Sequence, residues 1–320
     1  MSTLCEKADM NDGDLKMTMD YRRLGRSELQ VSEIGVGGHH LRRDSGDGER
    51  IFRGTAQERA AIFSRALDCG ITFFDTTFKE EVISFGEALK IMGRRDEMVL
   101  CSMDEQYAAF RSDDLKDYKK HTADELDRCL RWLGTDWIDV YWLRYDVGEH
   151  SDDMLRYSIE AMREAKEAGK IRAIGNSGHD TAFMQKTVGE WDAWDVIMFP
   201  YNFAHRRAED YVLPAAEERD VGVVIMKPFA CGRYFRVDPR TGFRDDRILP
   251  REEQSRIATA ALKWILENEK VHTIIPALNE LHHVDDAVAA SGSPLSAEER
   301  ALLDGIAAKS PSYKESYGHD

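Results

Sequence analysis

Surplus positive charge is missing from this sequence: 44 lysines and arginines face 59 aspartates and glutamates, a net charge of −15. That balance disfavours nucleic acid or an anionic membrane surface as the main partner and leaves a small molecule as the expected one. Long apolar runs are missing too. No stretch approaches the ~20 residues that a membrane span requires. The N-terminal MSTLCEKADMNDGDLKMT has no apolar signal-peptide core, so a cytoplasmic location is expected. Cysteine is sparse: Cys5, Cys69, Cys101, Cys129 and Cys231 are odd in number and never fall in a CxxC spacing. Neither a disulfide framework nor a zinc or iron–sulfur site is signalled, and most of the five are expected as core thiols. A fixed-period repeat, a low-complexity tract and a linker are also absent. Residues 20–320 therefore read as one domain behind a polar, aperiodic lead-in over 1–19, expected to be disordered.

What is present is a regular alternation. YRRLGRSELQVSEIGVGG, residues 21–38, places a glycine turn between two short alternating segments, as a β-hairpin does, and runs on into an apolar strand at Ile34. Short β-rich runs follow: ITFFD, MVLCSM, WIDVYWL, IRAIGN, VIMFPY, GVVIMK and HTIIP. Between and after them, apolar positions at three- and four-residue spacing predict helices near 55–69, 82–91, 120–133, 153–168, 180–189, 206–219, 251–269 and 296–309. Strand then helix, repeated, argues for parallel βαβ units covered on both faces. With Ile34 the strands number eight, which favours a closed (β/α)8 barrel with an N-terminal hairpin, a fold that accommodates 320 residues as one unit. In such barrels the chemistry sits at the C-terminal strand ends. Here those ends carry Asp75, Met103, Arg144, Asn176 with Ser177, Tyr201, Lys227 and Ala277.

The stretches YRRLGRSELQVSEIGVGG, GITFFDTT, FGEALK, DELDRCLRWLGTDWIDVYWL, EAKEAGKIRAIGNSGHD, YNF, MKPFACG and ALKWILEN together resemble an aldo-keto reductase from about Tyr21 to the last helix. The resemblance implies a barrel that binds NADPH or NADH across its C-terminal face and reduces carbonyls with an Asp, Tyr, Lys and His tetrad. Asp75 matches the Asp. The Tyr, five residues on, falls on Glu80, with Lys79 or Glu81 as alternatives because the segment to Gly86 is shorter than usual. The Lys falls on Met103 and the His on Arg144.

A carboxylate buried at the barrel mouth without its lysine costs roughly 3–5 kcal/mol, so a replacement partner for Asp75 is expected. Arg144 is the first candidate because its planar fork suits a carboxylate, and Lys79 is the second. One reading leaves Asp75 and Arg144 as an inert ion pair. The other assigns Arg144 to an anionic or polyhydroxyl substrate and Glu80 to acid/base work, with a pKa raised by desolvation or by Glu81.

On the cofactor side the resemblance implies that Asn176, Ser177 and Gly178 hold the nicotinamide carboxamide. Lys227, Pro228, Phe229, Gly232 and Arg233 match the pyrophosphate-binding turn, with Gly232 allowing close backbone approach. The following loop carries Arg233, Arg236, Arg240, Arg244 and Arg247, interleaved with Asp238, Asp245 and Asp246, and reads equally as a cover for a dinucleotide or as a solvated loop. Against a dinucleotide, Met198 and Met226 stand where the resemblance expects a carboxamide-binding Gln and a stacking aromatic. Asp285 and Asp286 would repel an adenosine 2′-phosphate. NADP, NAD and no cofactor all stay open. His39, His40 and His179 lie near strand ends, yet no local spacing of these with Asp75 and Glu80 signals a metal. Trp132, Trp137 and Trp142 are expected to pack the barrel against the helix ring. Three functions remain: a nicotinamide-dependent reductase with a changed acid/base set and poor activity on standard aldehydes; a non-redox lyase, isomerase or dehydratase; and a catalytically inactive binding protein.

Overall fold

A computed structural model of the chain describes residues 19–37, 41–43, 50–52, 55–104, 107–146, 151–240 and 247–312. Strands β1 (Tyr21–Arg23) and β2 (Gln30–Ser32) form the antiparallel hairpin, and a second ribbon pairs β3 (Leu41–Arg43) with β4 (Arg50–Phe52). Seven parallel strands follow: β5 (Phe73–Asp75), β6 (Val99–Asp104), β7 (Ile138–Leu143), β8 (Ile171–Ser177), β9 (Val196–Pro200), β10 (Gly222–Met226) and β11 (Thr273–Ile274). They lie side by side in sequence order. The gap between first and last is filled by the segment around Ile34. Gly35 N donates to Ile274 O and Val36 N to Phe73 O, both at 2.7 Å, and Asp75 N donates back to Val36 O at 2.8 Å. The expected (β/α)8 barrel is thereby closed.

The helices are α1 (Ala56–Asp68), α2 (Lys79–Met92), α3 (Lys116–Leu133), α4 (Asp152–Glu167), α5 (Thr181–Glu190), α6 (Val212–Glu218), α7 (Arg251–Leu266), α8 (Leu281–Ala290) and α9 (Ala297–Ala307). Their apolar faces and the outward strand residues form the outer core. Met19, which the sequence placed in the lead-in, is buried within it. The lumen is a separate core. Phe73, Val99, Cys101, Met103, Val140, Trp142, Ala173, Met198 and Val224 meet there, and Leu24, Leu29 and Val31 of the hairpin plug its lower end.

Expectations about the packing of the tryptophans and about two helices need correction. Trp132 packs on the outer core, but Trp142 lies in the lumen. Strand alternation in β7 sends Val140 and Trp142 inward, and Tyr141 and Leu143 toward the helices. Secondly, α8 forms where no helix was expected, and the helix expected over 206–219 shortens to α6 after a separate turn at Arg207–Glu209. Among the described residues no helix is long and apolar enough to cross a membrane.

Candidate active site

The end of β5 delivers Asp75 to the top of the lumen, almost wholly buried. Met103, where the resemblance expects lysine, faces the same core and offers no charge. Asp75 receives instead the indole of Trp142, whose Nε1 donates to Oδ1 at 2.8 Å. The neighbouring charge is Glu81, of the same sign. Burial, reinforced by Glu81 and opposed by the indole hydrogen bond, pushes the Asp75 carboxyl up to about 8.

The expected Asp75–Arg144 pair is therefore not formed. Lys79, the second candidate, is exposed and holds its Nζ 5.7 Å from the centre of the Trp132 ring. Glu80 is exposed on the first turn of α2, and the buried carboxylate is Glu81. The helix phase explains the exchange. Glu81 occupies the third helical position and folds back, accepting from Thr77 N at 3.0 Å and Phe78 N at 3.4 Å.

A second group of polar residues gathers around the ends of β7, β8 and β10. After β7 the chain runs through Arg144 to Asp146, which is buried. Asp146 Oδ2 accepts from His179 N at 2.7 Å, and Oδ1 accepts from Asp180 N at 3.4 Å. Asp180 caps α5 in turn, accepting from Ala182 N and Phe183 N. His179 is held just ahead of that cap, its Nδ1 3.5 Å from Asp146 Oδ2. On the other side of the ring, Lys227 Nζ lies 2.5 Å from His179 Nε2. Asp146, His179 and Lys227 thus form one chain of side chains across the barrel mouth.

Burial, Lys227 and Arg144 lower the His179 imidazole, against the pull of Asp146. Lys227 is lowered chiefly by burial, with Arg144 acting in the same sense and Cys231 and Asp146 opposing it. Arg144 is therefore a neighbour of this cluster rather than of Asp75. The sequence reading missed Asp146 and did not connect His179 with Lys227. The available signal was a carboxylate three residues beyond the end of a buried strand.

Lys227 has φ +55, a left-handed conformation disfavoured for a residue with a Cβ by about 1–2 kcal/mol. Asn202 fixes this turn: its Nδ2 donates to Lys227 O at 3.2 Å, and its Oδ1 accepts from Tyr234 Oη at 2.6 Å. After Phe229 (φ −109) the backbone returns to left-handed conformations at Ala230 (φ +46), Cys231 (φ +59) and Gly232 (φ +81). Among the described residues a Cβ added at Gly232 would meet nothing within 4 Å, so they leave open space in front of that backbone. Such a turn fits the approach of phosphate oxygens. Pro228 is buried and Phe229 packs at a tilt against Phe235 with ring centres 5.0 Å apart, so both shape the turn. Arg233 donates to Arg240 O at 3.3 Å, and Arg240 reaches Lys309 O, tying part of the arginine-bearing loop to the C-terminal segment.

At the carboxamide end the fit is narrower. Asn176 turns away from the lumen, accepting from Tyr145 N at 3.2 Å and contacting Met184 Sδ at 3.4 Å. Gly178 packs against Met184, where an added Cβ would lie 2.6 Å from the sulfur. Ser177 shares the inward side of β8 with Ala173 and Gly175, so of Asn176, Ser177 and Gly178 it is the one on the lumen side. Tyr201 also turns outward, donating to Glu209 Oε1 at 2.7 Å. His39, His40 and Arg244 lie outside the described residues, among which no group of three or more His, Cys, Asp or Glu is arranged for a metal.

Comparison with known proteins agrees with this fold. A model described as the Aldo/keto reductase family matches residues 33–308. Aldo-keto reductase YhdN of Bacillus subtilis (strain 168) is 29% identical over 219 residues, covering 65% of this chain and 61% of that protein. The uncharacterized oxidoreductase YqkF of the same organism is 30% identical, covering 67% and 66% respectively. The chain thus spans less than two thirds of either protein's length. The NADH-specific methylglyoxal reductase of Escherichia coli (strain K12) is 23% identical over 88% of this chain and 96% of its own. Among solved structures, aldo-keto reductase AKR11C1 from Bacillus halodurans (holo form) superposes with a TM-score of 0.67 at 27% identity, covering 90% of this chain and 96% of that one.

Proposed function

From the premise that the chain belongs to the aldo/keto reductase family, we propose that it is a nicotinamide-dependent oxidoreductase acting on a small carbonyl compound that is anionic or rich in hydroxyls. The observation that carries this reading is the Asp146–His179–Lys227 chain at the mouth, beside Arg144 and the left-handed turn of residues 227–232. Ser177 and the turn from Lys227 to Arg233 would hold the cofactor, which supplies hydride to the carbonyl carbon. NADH is the expected form, because Asp286 on α8 offers a 2′-phosphate a carboxylate rather than a cation, Asp285 being paired with Arg65 at 2.9 Å, and because one relative is by name NADH-specific.

The chain's own residues supply the proton. His179, oriented by Asp146 and in hydrogen-bond contact with Lys227, donates toward the carbonyl oxygen, and Lys227 returns a proton to the ring. Arg144 receives the substrate's negative charge. Asp75, its pKa pushed up to about 8 by burial, is held as a neutral acid under Trp142 at neutral pH. Without the usual tyrosine and lysine, simple neutral aldehydes should turn over slowly.

The test is titration of the purified protein with NADH and NADPH, followed by Trp fluorescence and calorimetry, then reduction assays with glyoxylate, methylglyoxal and propionaldehyde. Micromolar binding of NADH and a preference for the anionic carbonyl are expected. Arg144→Gln should raise KM for glyoxylate more than for propionaldehyde. Failure to bind either nucleotide would overturn the proposal.

A further inference from the structure

The reductase reading uses Lys227 as a proton relay to His179, and the geometry of the same residue also points to chemistry that needs no nucleotide. We propose that Lys227 is a carbonyl-capturing amine that forms a reversible imine with small aldehydes and 2-oxo acids. The residue stands at the end of a barrel strand, where the backbone adopts φ +55 and Asn202 holds its carbonyl at 3.2 Å. A lysine that merely filled space would not require a conformation suited to glycine. The strain is confined to a turn that aims Nζ across the mouth at His179 Nε2, 2.5 Å away. The side chain is only partly buried, so a small carbonyl has access to it.

Imine formation asks for an amine not locked in the ammonium form, a proton shuttle within hydrogen-bond reach, and a fixed orientation of that shuttle. Burial and Arg144 both lower the basicity of Lys227, which is the direction the first requirement asks for. His179 meets the second and Asp146 the third, through the His179 backbone N at 2.7 Å and Nδ1 at 3.5 Å. In the step itself the Lys227 lone pair attacks the carbonyl carbon and forms the C–N bond. The carbonyl π electrons move to oxygen, the neutral His179 imidazole takes one proton from the nitrogen, and the imidazolium so formed passes it to that oxygen. A second passage through His179 protonates the hydroxyl, the C–O bond breaks, and water leaves carrying both former amine hydrogens. Arg144, beside the pair, offers the carboxylate of a 2-oxo acid its counter-charge.

The experiment uses the full chain without nucleotide, incubated with glyoxylate and sodium borohydride, which reduces an imine to a stable secondary amine. Intact mass and peptide mapping read the product. The expected result is a single carboxymethyl adduct on Lys227, absent in Lys227→Met and slowed roughly a hundredfold in His179→Gln. Adducts scattered evenly over surface lysines, no adduct, or labelling undiminished in Lys227→Met would overturn the proposal. Should Lys227→Met fail to fold, the peptide map of the unaltered chain decides alone. Because no nucleotide is present, failure here leaves the reductase reading standing, and failure of nucleotide binding leaves this one standing.

Discussion

The indole Nε1 of Trp142 donates to Oδ1 of Asp75 at 2.8 Å, inside a barrel whose neighbouring position on β6 is Met103. A neutral donor thus stands where the family resemblance expects an ammonium group. An indole satisfies the carboxyl's hydrogen-bonding capacity in part but does not offset a buried negative charge. With Glu81 nearby, the carboxyl resolves the conflict by keeping its proton, its pKa pushed up to about 8.

This relationship makes stability depend on pH in a definite direction. The folded state binds the Asp75 proton more tightly than the unfolded chain, whose carboxyl titrates near ~4. The stabilisation is complete below that value and is lost as pH rises through about 8. Asp75→Asn keeps an acceptor for Trp142 and cannot ionise. Thermal or urea unfolding should show the variant gaining on the parent chain between those limits, by on the order of a few kcal/mol at the alkaline end. A constant difference across the range would mean that Asp75 is already ionised in the folded state.

Trp142 reaches Asp75 only because β8 leaves room for it. Gly175 lies directly opposite Trp142 in the β7–β8 register, and a Cβ there would fall 2.1 Å from the indole Cε3. Gly175→Ala should therefore cost about 1–3 kcal/mol, the usual penalty for overfilling a packed core. The smaller ring of Phe at 142 should recover part of it, so the double variant Gly175→Ala with Trp142→Phe should be more stable than additivity predicts.

Asp146 holds the start of α5 as well as the His179 ring. Asp146→Ala removes an acceptor from His179 N and should cost about 1–2 kcal/mol, whereas Asp146→Asn retains an acceptor and should cost less. Both changes remove the charge that opposes burial at His179. The imidazole pKa, read by NMR titration, should fall below its already lowered position in both variants.

The barrel was legible because its strands are short apolar runs separated by helical spacing, a pattern that needs no knowledge of contacts. Trp142 was open to the same logic: alternation along β7 with Val140, and a glycine across from it in β8, mark the lumen side. Other parts were not legible locally. Counting residues from Asp75 places a carboxylate at the mouth but does not show whether Glu80 or Glu81 faces inward, since that depends on where α2 starts. The Asp146–His179–Lys227 chain joins residues from three separate loops, and no sequence spacing connects them. α8 was passed over because LHHVDDAVAA, which follows the last strand after a short connection, reads as a polar segment until Val284 and Val288 are seen to be buried.

Lys227 gives the sharpest contrast between stability and function. Its φ of +55 places it where glycine is at ease and alanine is not. Replacing it by alanine removes the contact with His179 and keeps the backbone strain. Replacing it by glycine removes both, at a cost in unfolded-state entropy of about 0.5–1 kcal/mol, against a relief of about 1–2 kcal/mol. Lys227→Gly should accordingly unfold at a temperature equal to or above that of Lys227→Ala, the reverse of the order found in an ordinary strand or helix. In both variants the His179 imidazole should regain basicity, because the charge of Lys227 holds it down. Thermal unfolding of the pair and NMR titration of His179 measure the two effects separately. An alanine variant more stable than the glycine variant would remove backbone strain from the account of this site.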